Sequence, residues 1–529
     1  MKAFLMYRSR DFDPKRALPS NERHLIQDLE LNTLFDTMAR EDDFIREVVR
    51  RAILTGVYDD AETINYRQAA LQDGLANAQT IRQIYALSIE AREREKRVYG
   101  YLWNYPSSVL GRAVSVVQLF VELLKRLRTI AEQNTGKFKS DAFLTLFATL
   151  REELSDEYFS VIDAHLERLR FRSGVLLSAE LGAGLKGKDY ICRRPNYEPG
   201  NWLARSWDRI VRLWHWFMQL SGRPRSAYSL YVHPRDQAGS DAMSELKNRG
   251  IGLAAESLAQ CAEHMLSFFD MLRTELAFYI GGINLRERLD ELNEPFSFPH
   301  AIPVGETCFS CKDLYDLCLA LSGRGTVVGN DISADGKKLI VVTGANQGGK
   351  STFLRSVGIA QLMLQCGMFA PATYLRANLV DSLFTHYKRE EDTTMKSGKF
   401  DEELARMNDI ANQVTPRAMI LFNESFAATN EREGSEVARQ IVSALLEKEL
   451  KLVFVTHLYE FAHGMFEQGL ETTMSLRADR REDGSRTFKL VLGEPLRTSF
   501  GEDLYREIFQ EGVDAGLPYR ETESSLSAV

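Results

Sequence analysis

Lys338–Ser351 reads KLIVVTGANQGGKS. Leu339–Val342 is a short β-branched apolar run, the pattern of a buried strand. Gly344-Ala345-Asn346-Gln347-Gly348-Gly349-Lys350-Ser351 follows with the spacing G-x-x-x-x-G-K-S, and Thr352–Gln365 continues at helical spacing. Strand, glycine-rich turn and helix, in that order, are the setting in which this spacing cradles phosphate. Glycines let backbone N–H groups turn inward, and the helix N-terminus adds partial positive charge. Lys350 is expected to offset phosphate charge, and the Ser351 hydroxyl to ligate Mg²⁺. Gly344 through Thr352 are therefore the candidate ATP-binding residues.

The surrounding chain has 529 residues, room for roughly two to four domains. Charged residues are 26% and hydrophobic residues 44%, the balance of a soluble globular chain. A net charge of −8 argues against a wholly basic nucleic-acid binder but leaves room for a local basic patch. No apolar run reaches the roughly 18 residues of a membrane span, so no membrane partner is expected. The N-terminus is too charged after Met6 for a secretory signal. Six cysteines without framework spacing point to the reducing cytoplasm. Cys308-x-x-Cys311 has no second metal-ligand pair beside it. Cys311, Leu314, Leu317 and Cys318 fit one face of a helix beginning near Ser310, so these cysteines are expected in the core.

The first half reads as helical. Glu22–Met38, Asp42–Thr55, Asp60–Gly74 and Thr80–Leu102 carry helical spacing, the last with a charged run at Glu90–Arg97. Gly111–Glu132 is amphipathic, and Ser155–Phe171 opens on a serine cap with Asp156 and Glu157 in its first turn. Gly174–Gly187 and Lys188–Arg194 read as a hairpin or loop. Trp202, Trp207, Trp214 and Trp216 cluster with Arg205, Arg209 and Arg212, and 186–250 holds 12 Lys/Arg against 6 Asp/Glu. Such a stretch either stacks on nucleic-acid bases or buries its tryptophans in a core. Gly250–Leu292 has a coiled-coil-like seam and reads as a strut ended by Pro295 and Pro299. The expected division is a helical core and lever domain, 1–304, followed by an α/β P-loop domain, 305–529.

Strands and helices alternate in the second half, which indicates a mostly parallel sheet. Thr472–Arg477 and Thr487–Leu492 look like an antiparallel hairpin on its edge, joined across Asp483-Gly484. Ala418–Phe422 is an apolar strand ending in Asn423-Glu424. At that place a P-loop ATPase carries an acid near Mg²⁺ and a glutamate that polarises water. Glu424 fits the catalytic role. Asn423 offers an amide toward the metal site without the charge. Val453–Thr456 is the next strand, and His457 at its end is a second candidate catalytic residue.

Several stretches together resemble the DNA mismatch repair MutS family. They are TGANQGGKST, LMLQCGMFAPA (Leu362–Ala372), SGKFDEEL (Ser397–Leu404), NESFAATNEREG (Asn423–Gly434) and VTHLYE (Val455–Glu460). DAETINYRQ (Asp60–Gln68) and the long helix running into Phe296–Pro299 suit the family's core and lever helices. The resemblance implies an ABC-type ATPase domain that works as a homodimer, each ATP held between two subunits. Ser397 and Gly398 would then be the signature element that meets the other subunit's nucleotide. Ala428, Thr429 and Asn430 would cross the dimer interface, and His457 would be the switch histidine. Thr498–Gly501 resembles the family's late serine–aromatic–glycine element.

The resemblance leaves no stretch for the family's mismatch-reading and connector domains, so the expectation is a short form. The letters Phe120-Val121-Glu122 match a mismatch wedge but fall mid-helix, and the C-terminus stops too soon for an added nuclease domain. Asn423 replaces the usual aspartate, which makes slow hydrolysis an expectation. Two functions compete. One is an ATP-gated clamp on DNA that does not itself read mismatches. The other is a nucleotide-dependent switch binding protein or RNA partners with slow or no hydrolysis.

Overall fold

The computed structural model describes residues 1–98, 105–171, 176–181, 187–193, 236–303, 305–325, 327–389, 398–481 and 484–497. The Trp/Arg-rich stretch, Ser397, Asp483 and Thr498–Gly501 lie outside them. Two compact units result. One takes in residues 83–134 and 147–273 with Met1 and Lys2; the other takes in 3–82, 135–146 and 274–529.

The N-terminal helices are α1 (Glu22–Asp28), α2 (Leu31–Ala39), α3 (Asp43–Thr55) and α4 (Ala61–Ala76). Glu22–Met38 is thus two helices, because Glu30 between them takes the left-handed conformation (φ 53°). Side-chain caps set the starts of α3 and α4. Asp42 accepts from the Phe44 and Ile45 N–H groups, and Asp60 from those of Glu62 and Thr63. The next elements are α5 (Ala78–Arg97), α6 (Pro106–Asn134), α7 (Asp141–Glu153), α8 (Asp156–Leu169) and the antiparallel pair β1 (Leu176–Leu181) and β2 (Gly187–Arg193). In the first unit Phe120 of α6 meets Phe269, ring centroids 5.7 Å apart. Among the described residues one helical stretch, Pro106–Lys137, is long and apolar enough by length and composition to cross a membrane, and half of its window is buried.

Helix α9 (Gln237–Leu292) has 56 residues, longer than its sequence seam suggested. In the second unit its Gly281 and Gly282 let α3 and α4 approach closely. A Cβ on either would come within 2.7 Å of Val49 or Leu71.

The remaining elements are β3 (His300–Ile302), β4 (Phe309–Leu314), α10 (Leu317–Ser322), β5 (Asn330–Ser333), β6 (Leu339–Gly344), α11 (Lys350–Cys366), β7 (Tyr374–Asn378), β8 (Leu383–Tyr387), α12 (Lys399–Gln413), β9 (Met419–Asn423), α13 (Glu431–Glu447), β10 (Lys451–Val455), α14 (Tyr459–Glu467), β11 (Thr473–Arg480) and β12 (Arg486–Leu492). They build a six-stranded sheet ordered β12-β11-β6-β10-β9-β8, parallel except where β12 pairs antiparallel at the edge. A second sheet, β3-β7-β4-β5, is mixed. The helix expected near Ser310 is corrected: Phe309–Leu314 is a strand of that sheet, and the helix starts only at Leu317. Its cysteines are buried all the same, and among the described residues no group of His, Cys, Asp or Glu could hold a metal ion.

The inner strands β6 and β10 are buried at every position, because helices cover both faces of a parallel sheet. On one face Phe422, Phe454 and Phe461 pack with Met407, Ala438, Val442 and Met465. Each buried phenylalanine, methionine or valine there contributes about 1.5–3 kcal/mol by leaving water. Helix α11 is buried along most of its surface. Its Gln365 side chain exchanges hydrogen bonds with the backbone of Val380, and its Gln365 carbonyl accepts from Val57 N–H at 2.7 Å.

Candidate nucleotide-binding site

Parallel pairing brings three strand ends side by side. Val455 of β10 is in register with Val342 of β6 and with Asn423 of β9. The loop from Gly344 and the pairs Asn423-Glu424 and Thr456-His457 therefore open at one sheet edge, where α/β folds place ligands.

The phosphate-loop glycines have steric reasons. Gly344 has φ 108°, and a Cβ there would lie 2.9 Å from the Ala478 nitrogen. A Cβ on Gly348 would lie 2.8 Å from Ala478 Cβ. Gln347 (φ 56°) and Gly349 (φ 85°) are left-handed, and such residues turn successive N–H groups to one side. No side chain caps α11, so its first N–H groups open toward this hollow. Lys350 is buried, and its Nζ donates to the carbonyls of Gly344 (3.0 Å) and Ala345 (2.9 Å). Burial pulls the amine down to about 8, against the attraction of Glu424 and with the repulsion of Arg486. The buried amine thus rests on two loop carbonyls and feels the Glu424 charge.

Ser351 Oγ donates to Asn423 Oδ1 at 2.8 Å. Glu424 is left-handed (φ 53°), a strained conformation for a glutamate, and its N–H donates to the Val455 carbonyl at 2.9 Å. Its carboxylate lies 3.0 Å from His457 Nε2. That hydrogen bond holds the Glu424 carboxyl below the usual range, outweighing partial burial, with help from the charges of Lys350 and Lys388. Glu424 is therefore ionised at neutral pH.

Behind Glu424 lies a buried link. Ser425 Oγ is 2.7 Å from His386 Nδ1, and His386 Nε2 is 3.0 Å from the Glu403 carbonyl. A carbonyl only accepts, so Nε2 of the neutral ring carries the proton, and the Ser425 hydroxyl beside Nδ1 donates to the His386 carbonyl. Burial drives the His386 pKa down to about 4, with Arg406 adding to the shift.

Gly344–Thr352, Asn423, Glu424 and His457 thus form one connected site. Gly398 stands elsewhere, as the N-cap of α12. Asn430 caps α13 by accepting from the Glu433 N–H, and Thr429 Oγ1 donates to Glu433 Oε2. A cleft of about 380 Å³ runs along the phosphate loop and reaches Leu314, Leu319, Val327, Val328 and Phe488. Sequence reasoning missed these apolar walls. They come from three separated segments, and no local spacing marks them.

Two family models match stretches of the chain. Residues 59–292 match the model of the MutS2 N-terminal domain, and 340–506 match that of MutS domain V. The DNA mismatch repair protein MutS of Caldicellulosiruptor bescii is 28% identical over 36% of this chain and 23% of its own length. Endonuclease MutS2 of Ligilactobacillus salivarius is 28% identical over 52% of this chain and 36% of its own. Human MutS protein homolog 4 is 24% identical over 44% of this chain and 27% of its own. The matched regions thus span well under half of these relatives.

Proposed function

The chain belongs to the MutS family, and we propose that it is an ATP-dependent DNA-binding protein, a dimeric ATP-gated clamp that does not itself read mismatches. In this reading 305–529 is the ABC-type ATPase domain, 1–304 supplies the core and lever helices that meet DNA, and the protein works in the cytoplasm. The observation that carries it is the buried Lys350 amine in the phosphate loop beside the Glu424–His457 pair.

The residues fit the nucleotide. Loop N–H groups and Lys350 offer positive charge, and the Ser351 hydroxyl, already bonded to Asn423, is a hard oxygen ligand suited to Mg²⁺. Bound Mg²⁺–ATP supplies the phosphoanhydride bond and the metal charge that offsets its phosphates. Gly344–Thr352 would hold the phosphates, and Ser351 with Asn423 would hold the metal. Glu424 orients the attacking water and takes its proton; His457 fixes the carboxylate. By the family resemblance, Ser397 and Gly398 would be the signature element that meets the second subunit's nucleotide. Asn423 lacks the charge of an aspartate, so hydrolysis is slow. That neutral side chain also favours a second reading, a nucleotide-dependent switch for protein or RNA partners that turns over little ATP.

Calorimetry with Mg²⁺–ATP tests the site: wild type binds and Lys350→Ala does not. Filter binding then compares duplex, mismatched, four-way-junction and single-stranded DNA at two salt concentrations, with and without ATP. Steep salt dependence, about −0.9 in log K against log salt per phosphate contacted, is expected. Equal binding by Lys350→Ala sinks the site, and a flat salt profile turns the assignment toward the switch.

A further inference from the structure

The β11–β12 hairpin backs the phosphate loop. Ala478 sets the space at Gly344 and Gly348, and Phe488 Cβ lies 3.5 Å from where a Gly349 Cβ would stand. These contacts exclude volume without direction. One contact is directional: Arg486 Nε donates to the Asn346 carbonyl at 3.2 Å. The guanidinium also donates from Nη1 to the Gly484 carbonyl at 3.1 Å, and it lies close enough for its charge to act on Lys350. The strand beneath it is fixed at several points. Thr487 Oγ1 donates to Asp479 Oδ2 at 3.0 Å, and Leu490 N–H donates to Asn330 Oδ1 at 2.7 Å.

The Asn346 carbonyl controls the next N–H. In a trans peptide the C=O of one residue and the N–H of the following one point in opposite directions. Holding the Asn346 oxygen against Arg486 therefore turns the Gln347 N–H the other way, away from the hairpin. Gln347 is left-handed, so this peptide is the one whose orientation shapes the loop's hollow. Without a partner on its oxygen, that peptide can rotate and present a carbonyl dipole where a phosphate needs a donor.

We propose that Arg486 is a positioning residue of the nucleotide site, acting through the Asn346 carbonyl to aim the Gln347 N–H at bound phosphate. The proposal rests on the ATP-binding reading above. A charge-assisted bond from a half-buried guanidinium sets the expected effect at roughly tenfold in affinity.

Calorimetric titration of the full chain with Mg²⁺–ATP tests it. Arg486→Gln should raise Kd about tenfold with an unchanged urea midpoint. Arg486→Lys, which keeps a charged donor, should stay within about threefold of wild type; a purely space-filling role would give no such rescue. An Arg486→Gln Kd equal to wild type overturns the proposal, and so does an Arg486→Lys loss beyond about tenfold, which is readable even if the glutamine variant fails to fold. The two readings fail differently. Wild type that binds no ATP, or Lys350→Ala that binds it normally, removes the nucleotide assignment. Normal behaviour of those two with an unaffected Arg486→Gln removes only the role of Arg486.

Discussion

Asn423→Asp changes charge at the metal side of the site while keeping shape. Asn423 Oδ1 accepts from Ser351 Oγ at 2.8 Å, and an aspartate oxygen accepts the same bond. What is added is one negative charge beside Ser351, the residue whose hydroxyl would ligate Mg²⁺. A charge-assisted contact is about 1–2 kcal/mol stronger than its neutral counterpart, so kcat should rise, or the Mg²⁺ requirement fall, by roughly five- to thirty-fold. The neighbouring Glu424 gives a second readout. Its carboxyl is held below the usual range by His457, and a new anion next to it opposes that ionisation. Without Mg²⁺ the variant should therefore melt below wild type, and saturating Mg²⁺–ATP should close the gap. If another acid already serves the metal, the added charge repels it and the variant is slower. Steady-state ATPase rates across a Mg²⁺ titration give the answer. Rates that match wild type at every Mg²⁺ concentration would show that position 423 does not set the charge balance, and the reasoning fails.

Two further outcomes follow from the same geometry. Glu424→Gln removes the base but keeps the shape, so with ATP it should trap the dimer in sedimentation velocity; a strict monomer at micromolar protein and saturating ATP contradicts the shared-nucleotide arrangement. His386, driven down to about 4 from an unfolded value near 6.5, stays neutral in the fold while the unfolded chain takes up a proton. Its contribution is complete above pH 6.5 and is lost as pH falls through 4, amounting to up to ~3 kcal/mol. Urea midpoints from pH 7 to 4 should therefore fall less steeply in His386→Asn than in wild type, and parallel curves rule that account out.

The sheet edge that gathers Gly344, Asn423, Glu424 and His457 is legible because its physics is local. A strand buried on both faces must be apolar throughout, so LIVV, MILF and LVFV announce β6, β9 and β10, and the polar residues that end them announce the edge. Phe309–Leu314 was misread for an equally local reason. Its register shifts between Cys311 and Leu314, and Asp313 there is left-handed (φ 55°). The irregularity puts two inward residues three apart instead of two, which imitates a helical face. Glu30 misled in the opposite sense. A left-handed glutamate breaks α1 from α2 with no glycine or proline to mark it. Its side chain finds its partner far along the chain: Arg355 of α11 pairs with both Glu30 and Asp316.

Arg67 extends that lesson to the expected boundary between helical and nucleotide halves. Its side chain is buried, with Nε donating to the Met6 carbonyl at 2.9 Å and Nη1 to the Cys366 carbonyl at 3.2 Å. Cys366 ends α11, the helix that starts at the phosphate loop, and the next residue, Gly367, closes against Arg67: a Cβ there would lie 2.6 Å from Arg67 Cβ. Helical periodicity reports which face of α4 is buried, but not that an arginine lies on it or which distant carbonyls it satisfies. Burying a guanidinium is costly where its donors go unmatched; here Nε and Nη1 find carbonyls outside α4, while Nη2 has no hydrogen-bond partner among the described residues. Residues 3–82 therefore pack with α11 for reasons that are entirely long-range, and hydrophobic patterning carries no trace of them.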